Sequence, residues 1–172
     1  MHRLHLLRHA KARRDDGSED RERRLSRGGR DAARLVGETL PAALEAVDLV
    51  LCSSAVRTRE TAELALATFA PHPRILFEDG LYLAGPAALL KRLTQLDEAE
   101  GAVLVVGHNP GLHELAIMLA APDSPAYRGL ASGKFPTAAR ASFAIEAPWS
   151  AIGRSRYQLT DYVTVKSLDG KE

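Results

Sequence analysis

Four residues hold the chemistry that this sequence offers most plainly: Arg8 and His9 in Leu6-Leu7-Arg8-His9-Ala10, Arg57 shortly after Ser53-Ser54, and His108 in Gly107-His108-Asn109-Pro110. An imidazole has an ordinary pKa of about 6.5, so near neutral pH its unprotonated nitrogen is a good nucleophile. An arginine stays charged, and its planar fork binds two phosphate oxygens at once. Histidines set among fixed cations suit phosphoryl transfer, in which negative charge lies on three equatorial oxygens and catalysis is mostly positioning and neutralisation. Singly, each residue has an ordinary reading: the arginine a solvated surface group, the histidine a satisfied polar group near a core. Whether the fold brings the four together decides between these readings.

The elements between them can be read from pattern. Arg3 to Leu7 is a first strand, followed by a charged loop to about Ser26 and an amphipathic helix from about Gly29 to Leu44, broken near Pro41. Leu49 to Cys52 is a short buried strand, and Ser53 or Ser54 can cap a helix from about Ala55 to Phe69, ended by Pro71 and Pro73. Arg74 to Phe77 is a weaker strand, and Pro86 opens a helix to about Leu96 with Leu89, Leu90, Leu93 and Leu96 on one face. Ala102 to Val106 lacks polar alternation, as expected of a central parallel strand covered on both faces. Asn109 and Pro110 read as N-cap and first position of a helix to about Leu119, whose amide end adds a dipole favourable to an anion. After a loop rich in Pro, Ser and Gly come two strands, near Ala141 to Glu146 and Tyr157 to Ser167, with no clear helix between them.

This order predicts an α/β fold in one domain over residues 1–172: a three-layer α/β/α sandwich whose central sheet is mainly parallel with an antiparallel edge strand. Ligands of such sheets bind outside the carboxyl ends of the strands. The first strand ends at Arg8-His9, the second at Ser53-Ser54 with Arg57 one turn on, and the central strand at Gly107-His108-Asn109. All four chemical residues therefore converge on one sheet edge.

Three segments also resemble the histidine phosphatase superfamily, which includes the cofactor-dependent phosphoglycerate mutases. Leu6-Leu7-Arg8-His9-Ala10 is similar to its Arg-His-Gly signature, with Ala10 in place of the common glycine. Residues Leu51 to Ala62 resemble its Ser-Pro-x-x-Arg-x-x-x-Thr-Ala element, and Val106 to Pro110 its second histidine motif. Lys134-Phe135-Pro136-Thr137 is similar to a segment of the SixA-type phosphohistidine phosphatase branch. The resemblance implies that His9 is phosphorylated and that Arg8, Arg57 and His108 bind the phosphoryl oxygens. Arg23, in Arg23-Arg24-Leu25-Ser26, corresponds to a further phosphate-binding arginine, with Arg24 as the alternative register. Many members also use a carboxylic acid after the third strand; here Gly80 falls at that place, and Glu78 and Asp79 are the nearby candidates for a general acid.

The implied function is a metal-independent phosphatase without a cofactor, acting on phosphohistidine in proteins. The alternatives are a small-molecule phosphomonoesterase of the same superfamily and a catalytically silent phosphoprotein-binding module. The partner is then a phosphorylated protein or a small phosphate ester. A nucleic-acid-binding domain is the competing class, because residues 1–34 hold eleven Arg or Lys against six Asp or Glu. Aromatic residues make up only 5 % and do not interleave with that cluster, so nucleic acid is not the expected partner. His2, His5 and His9 form no metal set, since His2 and His5 fall on opposite faces of a strand. No apolar run approaches the ~18 residues of a membrane helix, so no membrane is involved and a cytoplasmic location is expected. The single Cys52 reads as a buried, inert thiol.

Overall fold

The computed structural model describes residues 1–14 and 17–169; two residues of the charged loop expected before Ser26, and the last three of the expected 1–172 domain, lie outside that set. Six strands form one sheet: β1 (His2–Arg8), β2 (Leu49–Ser53), β3 (Arg74–Glu78), β4 (Ala102–Gly107), β5 (Arg140–Ile145) and β6 (Gln158–Val163). Their spatial order is β3-β2-β4-β1-β5-β6. The first four run parallel, while β5 pairs antiparallel with both β1 and β6. Every residue of β4 is buried, in keeping with its unbroken apolar run at the centre of the sheet.

Helices cover both faces. Alternation along the strands sends Leu4, Leu6, Val103 and Val105 toward α3 (Pro86–Thr94) and α4 (Gly111–Leu119), where they pack with Leu89, Leu93, Leu112 and Leu115. The neighbouring positions Leu7, Val50, Leu104 and Val106 face α1 (Arg27–Leu44) and α2 (Val56–Leu66), meeting Val36, Leu40, Ala62 and Leu66. This is the three-layer α/β/α arrangement with a mainly parallel sheet and an antiparallel edge.

Several elements differ from their reading in the sequence. Helix α1 starts at Arg27, where the Ser26 hydroxyl accepts from the Gly29 amide, and it continues through Pro41 to Leu44. An interior proline costs about 3 kcal/mol, but the turn beyond it buries Leu44 beside Leu40, and each such side chain contributes roughly 1.5–3 kcal/mol. Helix α2 is shorter than expected and begins after Ala55 with no side-chain cap; Ser53, the last residue of β2, instead accepts from the Ala55 amide. Asn109 does not cap α4. Its amide donates to the Phe135 carbonyl at 2.6 Å, and Pro110 takes the cap position. The last strand stops at Val163, because Thr164 and Ser167 cap each other reciprocally and open the short helix α6 (Val165–Leu168). Within the Pro, Ser and Gly loop lies α5 (Tyr127–Ser132), buried through Leu130.

Two glycines let backbones meet near the strand ends. A Cβ on Gly29 would stand 2.1 Å from the Lys11 carbonyl, and one on Gly111 would stand 1.9 Å from that of Ala84. Only a residue without a side chain allows the segment after β1 to lie against α1, and α4 to start beneath the loop that precedes α3.

Candidate active site

Parallel pairing of β1 with β4 puts Arg8 opposite Gly107, so the residues that follow, His9 and His108, emerge side by side. The His9 amide donates to the Gly107 carbonyl, and the two imidazole centroids are 5.3 Å apart. Behind them the Ala10 amide donates to the Thr61 hydroxyl, which ties the end of β1 to α2. Arg57, on the first turn of α2, is 97 % buried despite its charge. The four residues singled out in the sequence thus occupy one place.

His9 Nδ1 lies 2.7 Å from the Ala10 carbonyl oxygen. A carbonyl can only accept, so Nδ1 carries the proton and Nε2 keeps its lone pair. Burial, followed by the charges of Arg57, Arg8 and Arg23, lowers the His9 pKa to about 4, so the ring is neutral at pH 7. His108 is lowered to about 3, first by burial and then by His9 and Arg57. Its Nε2 is paired with the Ser53 hydroxyl at 2.7 Å. Nδ1 of His108, Nε of Arg57 and Nε of Arg8 are buried and hydrogen-bond to no group among the described residues. A neutral imidazole with a free lone pair is therefore surrounded by fixed polar nitrogens that can serve a phosphoryl group.

Arg8 is aimed by the loop whose sequence is Lys134-Phe135-Pro136-Thr137. Its guanidinium donates to the Phe135 carbonyl, the same oxygen that Asn109 holds. A cleft of about 600 Å³ opens beside Arg8, between Lys11, Asn109 and this loop. His113 borders the cleft, with Nε2 2.8 Å from the Leu130 carbonyl.

Of the two candidate arginines in the preceding loop, Arg23 turns inward, donating to Asp20 at 3.1 Å and to the Arg13 carbonyl at 2.7 Å, whereas Arg24 is exposed. The acidic candidates are placed differently from the reading that nominated them. Both oxygens of Glu78 accept from Arg92 of α3, at 2.8 and 2.9 Å, and Asp79 lies in a 3-10 turn with its side chain 80 % exposed, 3.6 Å from Arg21. Neither has a hydrogen bond or ion pair to His9, His108, Arg8 or Arg57 among the described residues. The carboxylate at the site is Asp20, which accepts from Arg57 at 3.0 Å and from the Tyr82 hydroxyl. The Tyr82 ring in turn meets His108 edge-on, with centroids 5.5 Å apart. Sequence reasoning missed Asp20 and Tyr82; the available signal was an acid three residues before Arg23 and an aromatic two after Gly80.

Cys52, His2 and His5 have no part in this cluster. Burial raises the Cys52 thiol to about 12, which removes it as a nucleophile. His2 stacks on Trp149, and His5 faces Ser142 on the other side of β1. No cluster of three or more metal-ligating side chains occurs among the described residues, and no helix among them is long and apolar enough to cross a membrane.

A sequence profile of the histidine phosphatase superfamily (branch 1) matches residues 4–81. An uncharacterized protein of Mycobacterium tuberculosis is 35 % identical over 148 residues, covering 85 % of this chain and 91 % of that one. Among solved structures, a candidate phosphohistidine phosphatase SixA from Nakamurella multipartitia superposes with a TM-score of 0.82 at 28 % identity, over 95 % of each chain. A candidate alpha-ribazole-5'-P phosphatase from Escherichia coli shares the fold, with a TM-score of 0.69 at 16 % identity over 96 % of this chain and 98 % of that one. The chain belongs to the histidine phosphatase superfamily and is SixA-like.

Proposed function

We propose that this phosphatase transfers a phosphoryl group from phosphohistidine of a protein to His9, and then to water. The observation that carries the reading is the tautomer of His9: its proton is fixed on Nδ1 by the Ala10 carbonyl, which leaves the Nε2 lone pair beside Arg8, Arg57 and His108. In the first step that lone pair forms a bond to phosphorus, while the bond from phosphorus to the leaving atom breaks and its electrons depart with the leaving group. Arg8, Arg57, Arg23 and His108 hold the phosphoryl oxygens. Water then attacks phosphorus, the bond to His9 breaks, and inorganic phosphate leaves with His9 restored as a neutral ring. The charge is neutralised by these side chains, so the scheme requires neither metal nor cofactor. We take residues 1–172 to act as one domain.

The carboxylates support this substrate class. Asp20 is lowered to about 2, first by the Tyr82 hydroxyl and then by Arg57, so it has no proton to donate near neutral pH. Glu78 is held by Arg92. An alkoxide leaving from a monoester is a strong base that needs a proton, whereas a departing imidazole has a conjugate acid of pKa about 6.5 and needs little help. With phosphohistidine, moreover, the bond broken and the bond formed are both phosphorus–imidazole bonds. The open cleft beside Arg8 leaves room for a side chain borne on a protein.

The test compares kcat/KM for a phosphohistidine protein or peptide with phosphoserine and phosphotyrosine peptides, sugar phosphates and nucleotides under one set of conditions. Preference for phosphohistidine, with acid-labile and base-stable label trapped on His9, supports the proposal. Preference for a sugar phosphate or nucleotide overturns the substrate assignment and favours the small-molecule phosphomonoesterase. Phosphoprotein binding without turnover leaves the silent binding module.

A further inference from the structure

We infer that Asp20 is the positioning residue that sets the guanidinium plane of Arg57, and through it the geometry of the phosphoryl site. The inference rests on the proposed reading of that site. Asp20 sits in a 3-10 turn, Asp20–Glu22, in the loop that follows β1, far in sequence from Arg57. It grips Arg57 twice: the Asp20 carbonyl accepts from one terminal nitrogen at 2.7 Å, and its carboxylate accepts from the other at 3.0 Å. Two bonds to one residue fix a planar fork against both swing and roll. Nε is then the one guanidinium nitrogen left without a partner among the described residues.

The carboxylate is itself held from three sides. Oδ1 accepts from Arg23 Nε at 3.1 Å, and Oδ2 accepts from Arg57 and from the Tyr82 hydroxyl. Arg21 lies over the Tyr82 ring, 4.6 Å from its centroid, so the loop carrying Asp20 is pinned beside His108 to the loop carrying Tyr82. Among the described residues Asp20 is the one carboxylate within ion-pair distance of any of Arg8, Arg23 and Arg57. Its side chain is 45 % exposed while that of Arg57 is only 4 % exposed, so the pair joins a partly solvated carboxylate to a buried guanidinium, and loss of the carboxylate lowers stability as well as disturbing the site.

The experiment is a double-mutant cycle of Asp20→Asn and Arg57→Ala, read by calorimetric titration with orthovanadate and with inorganic phosphate, and by kcat and KM on an aryl phosphate. Vanadate adopts the five-coordinate geometry of the transferred group, so it reports fork placement more sharply than phosphate does. Coupled neighbours show interaction terms equivalent to a few-fold to about a hundredfold. Asp20→Asn is expected to weaken vanadate binding about tenfold when Arg57 is present and less than about twofold when it is absent, with kcat falling more than KM rises. Tyr82→Phe removes a donor to the same carboxylate while keeping the ring that faces Arg57. It should give a smaller loss that also vanishes without Arg57, and it tests the same coupling if Asp20→Asn does not fold. Equal losses in both backgrounds overturn the inference. So does tighter anion binding by Asp20→Asn, which would make Asp20 a competitor for the fork rather than its support. If the unaltered protein binds neither anion, the proposed phosphoryl site fails and this inference fails with it; binding followed by an additive cycle sinks the role of Asp20 alone.

Discussion

Two polar clusters are buried against strand β1, and they differ in how their charge is balanced. At the carboxyl ends of the parallel strands, His9 and His108 stand among Arg8, Arg57 and Arg23, with Asp20 as the neighbouring carboxylate. Farther back on the same strand, His5 Nδ1 pairs with the Ser142 hydroxyl at 2.7 Å, and Arg140 pairs with that hydroxyl and, at 2.8 Å, with Asp161. Burial is the leading cause of the low pKa in both histidines, about 3 for His5 and about 4 for His9. A depressed titration therefore does not by itself separate a reactive histidine from a structural one. Charge balance among the described residues separates them: Arg140 has its own carboxylate, whereas Arg8 has there only the Phe135 carbonyl. Among those residues the first cluster holds cations in excess, as an incoming phosphoryl group requires.

The largest effect that sharpens this contrast is on turnover. His9→Ala should lower kcat by at least ~10⁴, as loss of a nucleophile does. His5→Ala should leave kcat within about threefold and instead lower stability by about 1–3 kcal/mol, since Ser142 loses a buried partner and the ring leaves a cavity. Steady-state kinetics with an aryl phosphate and urea unfolding of each variant give the two readings. Comparable loss of turnover in both variants would erase the distinction between the clusters.

The positions of His9 and His108 are legible in the sequence because their information is local. Each follows a short apolar run that can only be a buried strand, and the carboxyl ends of parallel strands gather at one edge. Arg57 is legible for the same reason, on the first turn of the helix after β2. Asp20 and Tyr82 are not. They sit on two 3-10 loops without periodicity, and their meeting depends on how those loops fold across the strand ends. Glu78 misleads for a related reason: its place at the end of β3 suggests a proton donor, but Arg92 of α3 holds both of its oxygens, a partnership that no spacing rule reveals. Pro41 shows the same limit in the fold, where a local breaker is overruled by the burial of Leu40 and Leu44.

A second expectation concerns stability against pH, and here the two clusters should act alike. His5, His9 and His108 all have folded-state pKa values of about 3 to 4, below the unfolded value of about 6.5. As pH falls below 6.5 the unfolded chain takes up protons that the folded chain refuses, so stability is full above about pH 6.5 and declines toward pH 4 and below. Each such histidine contributes up to about 1.4 kcal/mol per pH unit within its window. Urea midpoints from pH 7.5 to 4 should trace this decline, and His5→Asn should make it shallower. A flat profile, or the same slope in His5→Asn, would show that these rings are not held neutral by the fold.

The smallest effect belongs to Glu78, and it tests whether the reactive cluster truly lacks a proton donor of its own. In Glu78→Gln the amide keeps the shape of the side chain but loses the charge that both Arg92 bonds depend on. The pair is half-buried and joins β3 to α3, so its loss should lower stability by no more than about 1 kcal/mol. Because the Glu78 carboxylate is held by Arg92 instead of reaching the histidines, kcat/KM for an aryl phosphate and for a phosphohistidine peptide should each stay within about twofold. The informative outcome is a split between the two substrates. If Glu78→Gln abolished ester hydrolysis but spared phosphohistidine, the Arg92 pair would have to open during turnover to deliver a proton. The excess of positive charge that sets the site apart from the balanced cluster around Arg140 would then not be its whole chemistry.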